Sequence, residues 1–195
     1  MFAGELPLLP IRRVLVPGTR AALACPRDDL RPGETVVAAL AATTGSGAPV
    51  GSVGTLADLE EVRVLGPEAS WVRLRGSNLV RLSRAEERRG RWWATVVEVP
   101  EGDREAGPLV AAAQRALRRY LATRAEAGER VDLQIELSCD PVAASHEVAS
   151  YLRISWPEVQ EILEAGGAAE RLNRARAVLE RETELLRRLL GREGA

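Results

Sequence analysis

A catalytic chain needs nucleophiles, bases or metal ligands within reach of one another, and this sequence offers few. Histidine occurs once, as His146, so a multi-histidine metal site is excluded. Ser145 precedes it, but neighbours on a helix point about 100° apart and do not face each other. His146 therefore reads as a helix surface or boundary residue. No G-x-S-x-G elbow supports a triad gathered from distant parts. All 27 basic residues are arginine, which rules out a P-loop lysine, a Schiff base and a Ser–Lys dyad. Gly51-Ser52-Val53-Gly54 comes nearest to a phosphate loop, yet it precedes an apparent strand rather than the helix N-terminus that phosphate binding uses. Glu60-Glu61 and Glu86-Glu87 are adjacent carboxylates in strands or turns, unsuited to acid–base work. Cys25 and Cys139 form no C-x-x-C pair and read as reduced, largely buried thiols. No catalytic residue, cofactor or metal site is expected.

The tryptophans carry more information. Trp92 and Trp93 are consecutive in a predicted strand, so their side chains point to opposite faces. One can fill a core while the other lies outside or packs against the helical half. Trp71 lies beside a turn and Trp156 occupies a first helical turn, both positions where exposure is common. Leu8 and Leu9 alternate on the first strand and pose the same choice between core and surface. Trp71, Trp92, Trp93, Leu8 and Leu9 are thus the candidates for a protein-binding surface.

The elements that must position them follow from pattern and punctuation. Leu6–Leu9 and Val14–Val16 are short apolar runs broken by Pro7, Pro10 and the turn Pro17-Gly18. Val36–Ala42 is a candidate buried strand, and Thr43–Pro49 a Gly/Ser/Thr loop. Val53–Val64 and Val72–Leu82 flank the turn Gly66-Pro67, and Trp92–Val99 follows the charged turn Arg88–Arg91. Short strands with regular turns predict a β-sandwich or barrel. After the polar linker Glu101–Pro108 the period changes. Leu109, Ala113, Ala116, Leu117, Tyr120 and Leu121 form one helical stripe. A second helix is expected from Asp140-Pro141 to about Leu152. A third starts at the capping box Ser155-Trp156-Pro157-Glu158 and ends at Gly166-Gly167. The last runs from Ala168 to Leu190, with Leu172, Leu179 and Leu186 at heptad spacing. The chain divides into a β part, residues 1–103, and a helical part, residues 108–195.

Composition narrows the class. The 195 residues are 46% hydrophobic and 28% charged, ordinary for a globular protein able to bury a core. Aromatics are only 4%, so Leu, Val and Ala must build most of it. Net charge is −1, and the residues up to Gly107 carry 14 basic and 14 acidic groups. Neither part is a basic module, so nucleic acid is not the expected partner. The Arg84–Arg91 and Arg115–Arg119 clusters read as solvated faces. No leader-like start and no apolar run near the ~18–20 residues of a membrane span is present; the expected compartment is the cytoplasm.

The order of these elements, with their words, resembles the N-terminal substrate-binding domain of Lon proteases. Leu6-Pro7-Leu8-Leu9-Pro10-Ile11-Arg12 with Val16-Pro17-Gly18 is similar to that family's "LPLLPLR…FPG" start. Val53-Gly54-Thr55-Leu56-Ala57 is similar to "VGTLA". Val72-Arg73-Leu74-Arg75-Gly76 with Val80-Arg81-Leu82 resembles "V-x-V-x-G…R-x-x-I". Asp140-Pro141 with Val148–Leu152, Gln160–Glu164, and Arg171-Leu172 with Glu180 and Glu182 complete the series in order. The family's helical segment after the second strand is shorter here, where Arg27–Glu34 contains Pro32-Gly33, and Val159 replaces the lysine before Gln160.

This resemblance implies an α+β fold: a PUA-like β-barrel or sandwich followed by a C-terminal α-helical bundle. It implies a non-catalytic module that binds unfolded or hydrophobic polypeptide, or another protein, with self-association open. The family's ATPase and Ser–Lys peptidase need lysines that this sequence lacks, and the Gly191–Ala195 ending reads as a stop, so a free-standing form is expected. An N-terminal fragment of a full Lon protease is the near alternative. An RNA-binding PUA-like module is the alternative from another class.

Overall fold

The computed structural model describes residues 3–26, 30–41, 52–101 and 106–193. Strands come first: β1 (Ala3–Ile11), β2 (Arg20–Pro26), β3 (Thr35–Leu40), β4 (Val53–Val64), β5 (Ala69–Arg88) and β6 (Arg91–Glu98). Helices follow: α1 (Gly107–Glu126), α2 (Pro141–Tyr151), α3 (Trp156–Leu163) and α4 (Ala168–Glu193). This is the α+β order expected. The loop read at Thr43–Pro49 and most of the linker after Glu101 lie outside the described residues.

Five strands close on themselves. The first half of β1 pairs antiparallel with β6 and the second half parallel with β3. From there β3 pairs with β4, β4 with β5, and β5 with β6. The 20-residue β5 makes closure possible. Val80 and Arg81 pair with β4 and β6 at once, so these neighbours lie on opposite edges of β5. The edge that meets β6 at residues 80–88 meets β2 at residues 69–75. Closure removes free edges from the ring, and β2 hangs outside it. The β5–β6 hairpin turns through Arg89 (φ 54°) and Gly90 (φ 79°), both in the left-handed region that a two-residue type I′ loop requires.

Alternation then sorts the side chains. Leu9, Ile11, Val36, Ala38, Leu59, Val72 and Leu74 pack in one apolar cluster. Leu8, Val37, Val80, Leu82, Ala94 and Val96 pack in another. Strands β1 and β3 send residues to both, which is why Val36–Ala39 is buried without a break rather than alternating. Two glycines mark where chains come closest. A Cβ on Gly54 would lie 2.9 Å from Val37 Cγ1, and one on Gly76 2.9 Å from the Val16 carbonyl oxygen. Neither space admits a side chain without movement.

By packing, the chain forms two compact units. One comprises residues 1–100 together with Ser155–Glu164, and the other residues 101–154 and 165–195. The sequence division at 103 and 108 puts α3 with the other helices, whereas its packing puts it with the strands. The reason is local. Gln160 Nε2 donates to the Val53 carbonyl at 2.7 Å, and the Val53 amide donates to Glu164 Oε1 at 3.2 Å. Two side chains on one face of α3 thus supply the ladder partners that β4 needs at its first residue. Gln160 also donates to Glu164 at 2.8 Å, holding the pair together.

In the second unit, α1 buries Ala113, Ala116, Leu117, Tyr120 and Leu121 of the stripe read from the sequence, while Leu109 at its start is half-buried. Asp140 caps α2 by accepting from the Ala143 amide, with Pro141 in the first turn. Along α4, Leu172 and Leu179 are buried, whereas Leu185 and Leu189 are 46% and 58% exposed.

Candidate functional site

The family-like words of the sequence converge in the strand unit. The Val16-Pro17-Gly18 turn is tied to Gly76, whose carbonyl accepts from the Gly18 amide at 3.1 Å while its own amide donates to Thr19. The buried Thr55 hydroxyl donates to the Leu15 carbonyl at 2.5 Å. Gln160 and Glu164 hold Val53. These residues are scaffold: each satisfies a backbone group or permits a close approach, and none presents chemistry outward.

What faces outward is set by β5. Ser70, Val72 and Leu74 are buried on one face of β5, so Trp71, Arg73 and Arg75 stand on the other. Across the ladder Trp71 pairs with Arg63 of β4 on one side and Ala24 of β2 on the other. The Arg63 and Arg73 guanidinium carbons lie 5.3 and 5.4 Å from the Trp71 ring centroid, in cation–π range. Both arginines bind Glu61, at 2.5 and 3.1 Å, so two cations share one carboxylate. On β2 the outward residues beside them are Arg20, Ala22 and Ala24, all exposed. The two alanines are too short to cover the ring, and Trp71 remains half-buried.

The other candidates divide. Trp92 packs against the second apolar cluster with Ala94 and Val96. Trp93 points to the opposite face, under Arg91 at 5.4 Å from its centroid, and Arg91 in turn binds Glu34. Both rings are half-buried, on opposite faces of β6. Leu8 and Leu9 are corrected. They are 1% and 2% exposed, because β1 is covered on both faces, so neither can belong to an exposed binding surface. Trp156, at 42%, is the most open of the aromatic positions read from the sequence.

Ser145 and His146 are also corrected. Both are buried, at 0% and 6% exposure, rather than at a helix surface. The Ser145 hydroxyl donates to the Val142 carbonyl and accepts from Arg171 Nε at 3.1 Å. His146 Nε2 lies 3.2 Å from Glu101 Oε1, and Arg171 Nη2 lies 3.4 Å from the same oxygen. The histidine is thus part of a buried polar cluster and does not face the serine. Cys25 is buried as expected, but Cys139 is exposed, in the irregular segment before α2. Among the described residues no cluster of His, Cys, Asp or Glu could hold a metal ion. Nor, among the described residues, is any helix long and apolar enough to cross a membrane. Between α1 and α4 an open cleft is lined by Ala116 and Thr183 and walled by Arg119 and Arg187 against Glu180 and Glu184, a balanced set of charges.

Sequence reasoning misses Ala22, Ala24, Arg63 and Arg73 as members of the outer face around Trp71. The available signal is the spacing of Trp71, Arg73 and Arg75 two apart on a strand.

The family model for the ATP-dependent protease La (LON) substrate-binding domain matches residues 5–181. The chain belongs to the Lon substrate-binding domain family. Solved structures agree on the fold. The N-terminal domain of Lon protease from the Mycobacterium avium complex superposes with a TM-score of 0.69 at 20% identity, covering 91% of this chain and 98% of that one. A Lon N-terminal domain protein from Xanthomonas campestris gives 0.59 at 21% identity, covering 89% and 98%. No curated protein matches the sequence. The Lon-type domain here therefore keeps the family fold at low identity, and it is the substrate-binding part of the family, not its ATPase or peptidase, that the match describes.

Proposed function

We propose that this Lon-type domain binds unfolded or hydrophobic segments of other proteins in the cytoplasm and performs no chemistry on them. The observation that carries the reading is the match to a substrate-binding domain over residues 5–181. Two half-buried tryptophans with arginines over their rings, Trp71 and Trp93, support it, because a module of this kind needs apolar surface that its own core does not consume. An aromatic held by arginines loses little rotamer entropy when a partner covers it, which favours such rings as anchors.

The test is a titration of the purified domain with chemically unfolded casein and with a folded control protein. Binding to the unfolded chain alone is expected, without ATP and without cleavage. Replacing Trp71 by Ala should weaken binding by about 1–2 kcal/mol with the thermal midpoint nearly unchanged. Equal indifference to folded and unfolded chains, or cleavage that survives stringent purification, overturns the reading.

A further inference from the structure

We infer that the outer edge of β2 takes its polypeptide as an added strand, and that the arginine-flanked Trp71 selects segments carrying an apolar side chain beside acidic ones. This rests on the substrate-binding reading above and names the chemistry of its ligand. Among the described residues β2 pairs with β5 and has no strand on its far side. Its register shows which groups that edge offers. Gly76 donates its amide to Thr19, so the pair Arg20↔Arg75 is a non-hydrogen-bonded one. By alternation the N–H and C=O of Arg20, Ala22 and Ala24 all point away from β5. The Ala22 carbonyl indeed accepts from Arg13 Nη2, at 2.7 Å, an exposed bond that an incoming amide can replace. Three residues in alternation make a template for an extended segment.

The side chains above that edge specify what the segment carries. An added strand lies about 10 Å from β5, two strand spacings away. Across the exposed methyl groups of Ala22 and Ala24, a long apolar side chain leaning inward and the Trp71 ring leaning outward each cover about half of that distance. Charge sets the neighbours. On this face Arg20, Arg63, Arg73 and Arg75 stand against Asp58, Glu60 and Glu61, an excess of cation on a chain whose net charge is −1. Carboxylates on the ligand complete the half-neutralised pair over Trp71, whereas lysines meet repulsion.

The experiment uses the full chain with Trp92, Trp93 and Trp156 changed to Phe, so that Trp71 fluorescence reports binding. Four unfolded peptides share one alternating apolar core: one flanked by Asp and Glu, one flanked by Lys, and two acidic ones N-methylated at every second amide, one in each alternating frame. The acidic peptide should bind at least tenfold tighter than the lysine peptide at low salt, with the gap closing as salt rises. Methylation in one of the two alternating frames should cost more than tenfold, and in the other frame little. Ala22→Pro removes an outward amide that no strand uses, as edge positions allow, and should cause a similar loss with circular dichroism unchanged. Equal binding of the acidic and lysine peptides, or indifference to methylation in both frames, overturns the inference. So does tighter binding of a single-stranded uridine oligonucleotide than of the acidic peptide. If unfolded casein also fails to bind the unmodified chain, the substrate-binding reading itself falls. If casein binds while Ala22→Pro and methylation change nothing, only the edge assignment falls.

Discussion

The two compact units solve the burial of polar groups in opposite ways. In the strand unit the backbone spends its donors and acceptors on the ladders, so the side chains buried on the two faces of its sheet are almost wholly apolar, with Thr55 and Ser70 the buried polar exceptions. The helical unit buries whole charged side chains. Arg171 is fully buried, with Ser145, His146 and Glu101 gathered around it. Tyr120, Arg124 and Glu129 form a second such group: Arg124 donates to the Tyr120 hydroxyl and to the Glu129 carboxylate. That hydrogen bond, foremost, holds the Glu129 carboxyl below the ordinary carboxylate range. Helices satisfy their own backbones too, so the difference lies in side chains. A closed barrel has its contacts dictated by register, whereas a small bundle of mixed helices gains a unique arrangement when charged groups have one place to go.

The sharpest way to break this contrast is at Arg171. Arg171→Ala removes the cation beside a buried carboxylate and should cost about 3–5 kcal/mol. Its urea midpoint and hydrogen exchange resolved by segment are the measurements, and the loss should fall on α2 and α4 while β5 amides keep their protection. A double change, Arg171→Met with Glu101→Ala, should cost less than Arg171→Ala alone, because the Glu101 carboxylate is then not left behind without its cation. Loss of protection in the strands equal to that in the helices would erase the distinction between the units.

A smaller effect is expected where the strand unit borrows side chains for its backbone. Gln160→Ala leaves the Val53 carbonyl without its side-chain donor and should cost about 1–2 kcal/mol, read as a shift in urea midpoint with exchange increased at β4. An unchanged β4 would mean that water replaces the glutamine at no cost.

The smallest is at the start of α3. The Ser155 amide and hydroxyl both donate to Glu158 Oε2, at 3.3 and 2.8 Å, within the capping box expected from the sequence. Ser155→Ala should lower stability by about 1 kcal/mol, measured by the same midpoint. A zero shift would show that Glu158 caps through the amide alone.

Much of this fold is legible in the sequence alone. Caps with a strong chemical signature, Asp140-Pro141 and Ser155 with Glu158, place α2 and α3 correctly, since their hydrogen bonds are local. The α1 stripe is readable for the same reason. Strand β2 escapes such a reading because Ala21-Ala22-Leu23-Ala24-Cys25 lacks the β-branched and aromatic residues that mark strands; its pairing with β5 lies some fifty residues away in sequence, as in Arg20↔Arg75. Strand β5 runs past the expected end at Leu82, because its last stretch toward Arg88 is charged and solvent-facing. The burial of His146 and Arg171 has no sequence signal, since periodicity counts apolar residues and these are polar. At the candidate site, strand geometry puts Trp92 and Trp93 on opposite faces, but that Trp92 is the one packed on the second cluster follows only once Ala94 and Val96 are known to lie there. Trp71 stands out in the sequence but its arginine neighbours do not, because Arg63 reaches it across the ladder rather than along the chain.

The grip of α3 on Val53 has a consequence for the order in which the protein is made. Gln160 and Glu164 follow Val53 by 107 and 111 residues, so every strand has left the ribosome long before the pair that completes β4 is synthesised. During that interval the first residue of β4 lacks the side-chain partners it has in the finished fold. A nascent chain stalled before residue 160 should therefore expose this strand end to proteases and chaperones, while one stalled after Glu164 has cleared the exit tunnel should not.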